Sequence, residues 1–346
     1  MDIKATIKKV EYQPYLCRDL SEIPIEELES SLCMRGSCIV RLDDQNKLAL
    51  SSWVSAKRTR SYPYARIYDT LAFSGRKVTV IPIYKDEGAD GDRDFIQWDT
   101  ISLMSLLGVY VIISYYAQAS KNSRYANKIT NQRFDITHIK KQIDDLRFFQ
   151  SDALHWNLIQ ADSIGEVANL AFVSYRQITS VTGVKMHSEV PALERINQIS
   201  NNANRFKDLS RKMSQAAQER ESVTTQPKEF VNQVNKSTIT IENYLGGEYY
   251  LTTDETWVEG NQAFLVECKH SKRSDLPSQS DIKDGLIKMV LFSNLDQVTI
   301  NAKSYTPHPI LRLTSSVRAD DNYLTKAFVK SLLLEAEKNH FEVRFT

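Results

Sequence analysis

Residues 254–269, DETWVEGNQAFLVECK, decide the reading of this chain. Gly260-Asn261 separates two apolar-rich runs, and such a pair between such runs predicts a two-residue β-hairpin. With those residues as the loop, Trp257 faces Phe264, Val258 faces Ala263 and Asp254 faces Glu267. Opposed residues stand roughly 4.5–5.5 Å apart at Cβ, close enough for two carboxylates to repel. Burying that pair costs free energy unless a cation lies between them. Lys269 follows Glu267 by two residues and so points to the same face. The hairpin is therefore expected to gather two acids and an amine at the end of apolar strands. Carboxylate oxygens suit a hard divalent cation, and an ammonium beside them suits developing phosphate charge. The competing reading is an edge hairpin whose Asp, Glu and Lys form surface salt links. Val258, Leu265 and Val266 argue against that much exposure.

The flanking elements extend the pattern. A helix is expected over 238–245, ended by Gly246-Gly247. Strands follow over Glu248–Thr252, Asp254–Glu259 and Ala263–Lys269, then a helix over 281–294 and a strand over Gln297–Lys303. This order, with Asp254 opening one strand and Glu267-Cys268-Lys269 on the next, resembles the PD-(D/E)xK nuclease superfamily, which includes most type II restriction endonucleases. Thr253 stands where that family usually has proline. The resemblance spans about the last third of the chain and implies an α/β (α+β) fold with an αβββαβ core around a central mixed sheet. It implies Mg²⁺ held by Asp254, Glu267 and the Cys268 carbonyl, with Glu242 on the expected helix as an auxiliary acid. Asp254, Glu267 and Lys269 are its catalytic triad, with Lys269 orienting the attacking water or stabilising charge.

Composition bounds the rest. The 346 residues are 42% hydrophobic and 25% charged, with net charge +1, which fits an ordinary globular chain of one or two domains. That balance leaves DNA and RNA undivided and requires clustered positive charge for either. Cysteines 17, 33, 38 and 268 show no zinc spacing and are expected to be reduced thiols in the cytoplasm. The uncharged stretch Thr100–Ser120 is long enough to span a bilayer but holds four serines, so a buried core helix over 98–118 is expected, packing Leu103, Leu106, Leu107, Val111 and Ile112. No phosphate-binding loop is present, which removes a nucleotide cofactor.

Ahead of the hairpin, strands are expected over Ser37–Leu42, Lys47–Trp53 and Lys77–Tyr84. Helices are expected over Ile136–Phe149, Ala153–Thr182 (with a break) and Ala192–Arg220. The turn-rich SVTTQPK, 222–228, is the expected boundary between a recognition and dimerisation region, 1–228, and a nuclease core, 229–346. Beyond the core come Ile310–Leu313, a helix over Tyr323–Lys338 capped by Asn322, and a strand over Phe341–Phe345.

Two basic segments are candidate DNA contacts. One is WVSAKRTRSYPYAR, with Lys57, Arg58, Arg60 and Arg66 interleaved with tyrosines; the other is His270, Lys272 and Arg273. Each also reads as a solvated loop. The acidic stretch from Asp86 to Asp94 lacks the glycine and terminal glutamate of a calcium loop, and a solvated turn is expected. The expectation is a Mg²⁺-dependent, sequence-specific double-stranded DNA endonuclease acting as a homodimer. Another nuclease of the superfamily, for repair or RNA processing, and a non-catalytic DNA-binding protein stay open.

Overall fold

The computed structural model describes residues 1–34, 36–56, 63–191, 193–194, 237–243, 248–317 and 326–346. Contacts divide the chain into two units, one of residues 1–19 with 212–346, the other of residues 20–211. The fold is mixed α and β in both. The expected split at 228 therefore changes at the N-terminus, where residues 1–19 join the C-terminal unit. Strand β1, Asp2–Ile7, pairs in parallel with β11, Ser237–Asn243, and antiparallel with β15, Asp296–Ile300. Ile3, Ala5 and Ile7 alternate inward along it. Its continuation is tied down as well, since Tyr12 Oη and the Tyr15 amide donate to the buried Glu335 carboxylate at 2.6 and 2.8 Å.

The C-terminal unit holds two sheets. One runs β12-β11-β1-β15-β16, where β12 is Glu248–Thr253 and β16 is Lys303–Ser304. Thus, of the helix expected at 238–245, residues 244–245 lie outside the described residues and 238–243 form a strand. Its sequence, STITIEN, alternates β-branched residues with period two, and Ile239 and Ile241 are buried. The other sheet runs β13-β14-β17-β18, with β13 Glu255–Glu259, β14 Gln262–Ser271, β17 Thr306–Ser315 and β18 Glu342–Phe345. Strands β14 and β17 are parallel, so the chain must cross over between them. The helix following the hairpin, Gln279–Phe292, begins that crossover, and Ser278 caps it by accepting the Asp281 amide. The last helix, Ala327–Lys338, precedes β18; the cap expected at Asn322 lies outside the described residues. Among the described residues the expected αβββαβ order therefore has a strand where its first helix was expected, and β12 pairs with β11.

The N-terminal unit is built on a five-stranded sheet, β2-β3-β4-β5-β8. Its strands are Glu22–Pro24, Ser37–Arg41, Lys47–Ser52, Arg76–Pro82 and Val109–Ser114. Among the helices whose bounds are described, in chain order, are α1 (Leu28–Met34), α2 (Pro63–Tyr68), α3 (Trp98–Leu106), α4 (Ile136–Phe148), α5 (Ala153–Asp162) and α6 (Ile164–Thr182), and the helix after the hairpin is numbered α7 and the one before β18 α8. Ile139, Ile143 and Leu146 of α4 pack on Val40, Leu48, Val78 and Val80 of the sheet. The expected break within 153–182 falls at Ser163. The single helix expected over 98–118 is instead α3, then β8, then β9 (Tyr116–Lys121). Gly108 at φ 66° stops the helix there, and Val111 and Ile112 are buried in a strand. Among the described residues, no helix is long and apolar enough to cross a membrane. Of the helix expected over 192–220 only 193–194 are described, and they are helical; the 222–228 boundary and Gly246-Gly247 lie outside the described residues.

The acidic stretch is not a solvated turn. It forms a hairpin of β6, Tyr84–Asp86, and β7, Arg93–Phe95. Asp86, Asp94 and Asp99 are buried, and Asp94 accepts the Ser55 hydroxyl at 2.6 Å. Glu87 takes Lys85 and Lys128 on its two oxygens, each at 3.0 Å.

Candidate functional site

The hairpin forms in the expected register. Trp257 pairs with Phe264 and Val258 with Ala263, and Gly260 takes φ 57°, which glycine adopts at no steric cost. The Trp257 and Phe264 rings stack at 4.8 Å, 4° from parallel. On that face Phe264, Val266 and Ile310 form a small core with Trp257 and Cys268. Arg312 on β17 binds Glu255 there. The opposite face of β14 carries Ala263, Leu265, Glu267 and Lys269, and α7 covers it. A Cβ placed on Gly285 of α7 would stand 2.8 Å from Leu311 Cδ1 and 3.1 Å from Lys269 Cε.

Glu267 is only 3% exposed. A carboxylate so buried needs compensation, and two ammoniums supply it. Lys269 Nζ lies 3.0 Å from Glu267 Oε1, and Lys288 Nζ lies 2.6 Å from Oε2. Lys269 also reaches Asp284 at 3.0 Å, and Lys288 also donates to the Thr252 carbonyl at 3.1 Å. Burial pushes the Glu267 carboxyl upward, but Lys288 and Lys269 outweigh it and hold it below the ordinary value. Burial likewise lowers Lys269 and Lys288, and the facing carboxylates, Glu267 foremost, raise both above the usual lysine range. All three groups are charged at neutral pH.

Asp254 sits just before β13. Its amide donates to the Val266 carbonyl at 2.9 Å, and its Oδ2 accepts the Cys268 amide at 2.6 Å. Asp254 is thus fastened to the strand that carries Glu267. Burial first, then the charge of Asp254, pushes the Cys268 thiol up to about 12, so it remains a neutral thiol.

Other candidates are placed differently. Glu242 lies exposed on β11, on a strand instead of the expected helix and in the other sheet. Arg66 of α2 donates to the Ser52 carbonyl at 2.7 Å, a local structural bond. Lys57, Arg58 and Arg60 lie outside the described residues. His270 is exposed, with its ring nitrogens against Thr314 Oγ1 at 2.8 Å and Ser316 Oγ at 3.0 Å. Lys272 and Arg273 are exposed beyond it.

Sequence reasoning missed Lys288 and Asp284. Lys288 had one signal, a lone cation within the apolar run Leu286 to Phe292. Asp284 precedes Gly285 and carried none.

Among the described residues, no group of three or more His, Cys, Asp or Glu side chains forms a metal-binding cluster. The donor chemistry nevertheless suits a hard cation. Asp254, just before β13, and Glu267, on β14, offer carboxylate oxygens. Three carboxylates, Asp254, Glu267 and Asp284, against two ammoniums leave one negative charge, the sign a cation requires. Comparison of the chain with protein-family models, curated proteins and solved structures gives no match.

Proposed function

We propose that this chain is a Mg²⁺-dependent nuclease that hydrolyses double-stranded DNA at specific sequences, in the manner of a type II restriction endonuclease. The carrying observation is Glu267, buried on β14, sharing its oxygens between Lys269 and Lys288 beside Asp254. Buried, charged groups of opposite sign gathered on one strand end are the arrangement that functional sites use.

Asp254, Glu267 and the Cys268 carbonyl would hold the cation. A bound Mg²⁺ polarises the scissile phosphate and lowers the pKa of its water. Lys269 keeps its ammonium between Glu267 and Asp284, where it orients the attacking water or meets the charge developing on phosphate. Asp284 acts through Lys269 by fixing its position. Exposed Lys272 and Arg273, after β14, serve the flanking phosphates. In this reading the N-terminal unit contributes sequence recognition through its arginine-rich segment, and the protein works as a homodimer on a two-fold symmetric site.

The test is incubation of the full chain with long double-stranded DNA in Mg²⁺ and in EDTA, beside Lys269→Ala. Discrete Mg²⁺-dependent fragments that vanish in the variant are expected. A smear would turn the reading toward a non-specific or repair nuclease. No cleavage of varied unmethylated DNA by folded protein would remove DNA hydrolysis, leaving RNA cleavage or DNA binding without chemistry.

A further inference from the structure

Lys288 is placed where a cation would be. Its Nζ touches Glu267 Oε2 at 2.6 Å and the Thr252 carbonyl at 3.1 Å, and Thr252 stands two residues before Asp254. An anionic oxygen, a neutral oxygen and a second carboxylate nearby make an oxygen cradle of the kind hard metal ions occupy. Here an ammonium fills it. The other lysine of the site is bound differently. Lys269 holds a second carboxylate, Asp284, at 3.0 Å, and can keep its charge compensated without Glu267. Lys288 makes its further hydrogen bond to an uncharged carbonyl, and the charge of Asp254 also acts on it.

A divalent ion on Glu267 would meet Lys288 at close range. Mg²⁺ binds carboxylate oxygen at roughly 2.0–2.1 Å. Two cations at one carboxylate oxygen repel strongly where water is scarce. The lysine stem is long and flexible, and the Lys288 side chain is 20% exposed, so it is not sealed within the core.

We propose that Lys288 is a built-in occupant of the cation position: it holds Glu267 when no divalent ion is bound, and an entering ion must displace it. Lys288 thereby sets how tightly the site takes metal. This rests on the metal-dependent reading above, but it concerns binding alone and is read without any cleavage.

The experiment is a Mn²⁺ titration of the full chain at neutral pH, with free Mn²⁺ read by electron paramagnetic resonance and folding checked by circular dichroism. Lys288→Met should bind Mn²⁺ at least about tenfold more tightly than the parent chain, because the competing charge is gone. Lys288→Arg keeps that charge and should show no gain. If Lys288→Met does not fold, Lys288→Gln, which still donates to Glu267, is read in its place with the same expectation. Adding Glu267→Gln should erase the gain. Unchanged or weaker Mn²⁺ affinity in a folded Met or Gln variant overturns the inference, as does an absence of Mn²⁺ binding in every form. Tightened Mn²⁺ binding without DNA cleavage would uphold the role of Lys288 and sink the DNA-hydrolysis reading instead.

Discussion

Replacing Glu267 by Gln removes one charge from between two ammoniums and leaves the side chain nearly the same size. Removing one partner of a buried ion pair costs about 3–5 kcal/mol, because the remaining charge is left uncompensated. Here two cations lose a partner unequally. Lys269 retains Asp284 at 3.0 Å, whereas Lys288 retains a carbonyl and the charge of Asp254. The Gln carbonyl still accepts one hydrogen bond, so the low end, about 3 kcal/mol, is expected. The sign with pH follows. In the parent chain Glu267 titrates below its ordinary 4.5, so its contribution is present above that pH and is lost as pH falls through the folded value. Lys288 titrates above its ordinary 10.5, so its contribution is full below 10.5 and is lost only above. In the variant only the charge of Asp254 opposes burial, which is expected to drive Lys288 below its ordinary value, so part of the loss returns as pH rises. Hydrogen exchange of the β14 amides reads the local opening. At neutral pH the variant should exchange on the order of a hundredfold faster than the parent, and the ratio should shrink toward about pH 9.5. A ratio below about threefold, or one that ignores pH, would refute the account of Glu267 as a buried charge held by both lysines.

Further substitutions probe separate parts of the structure. Gly285→Ala should leave the melting temperature nearly unchanged, since a helix gain of up to about 1 kcal/mol offsets the crowding of Leu311 and Lys269. It should nonetheless reduce DNA cleavage by displacing Lys269, and full activity would argue against that positioning. Gly260→Ala meets no neighbour within 4 Å, so its cost, roughly 1 kcal/mol, is purely the left-handed backbone. Gly260→Asn should recover most of it, and equal melting of both variants would count against the turn. Arg66→Ala should lower stability by about 1–3 kcal/mol through the orphaned Ser52 carbonyl. Arg58→Ala and Arg60→Ala should instead weaken DNA binding by about 1–3 kcal/mol with melting unchanged; identical behaviour of all three would dissolve that distinction.

The hairpin was legible because its signals are local. Gly260-Asn261 fixes the loop and the loop fixes the register as far as Glu255 and Val266, but the expected pairing of Asp254 with Glu267 does not form, since the Asp254 amide bonds the Val266 carbonyl instead. Helix α4 was legible within a residue at its C-terminus, from apolar positions Ile139, Ile143 and Leu146 at helical spacing. Where two signals competed, the weaker was followed. Residues 238–245 precede a Gly-Gly pair, which suggested a helix end, yet the alternation in STITIEN is a strand pattern. The Thr100–Ser120 stretch looked uniform by hydropathy, although Gly108 interrupts it and β-branched residues crowd its second half. Strand β1 shows Ile3, Ala5 and Ile7 in alternation, but nothing nearby in sequence could announce a partner more than two hundred residues away. Lys288 was hidden for the same reason. A crossover helix brings it onto Glu267, and only the packing of α7 over β14 reveals the meeting.

The parallel pairing of β1 with β11 also sets an order of events during synthesis. The first strand leaves the ribosome long before residues 237–243 exist to receive it. At roughly 5–20 residues per second, the chain between them takes on the order of ten to forty seconds to emerge. Residues 20–211 can close around their own core in that interval, while Ile3, Ala5 and Ile7 wait unburied. The candidate site matures last, and a fragment begun at residue 229 would lack the middle strand of its first sheet.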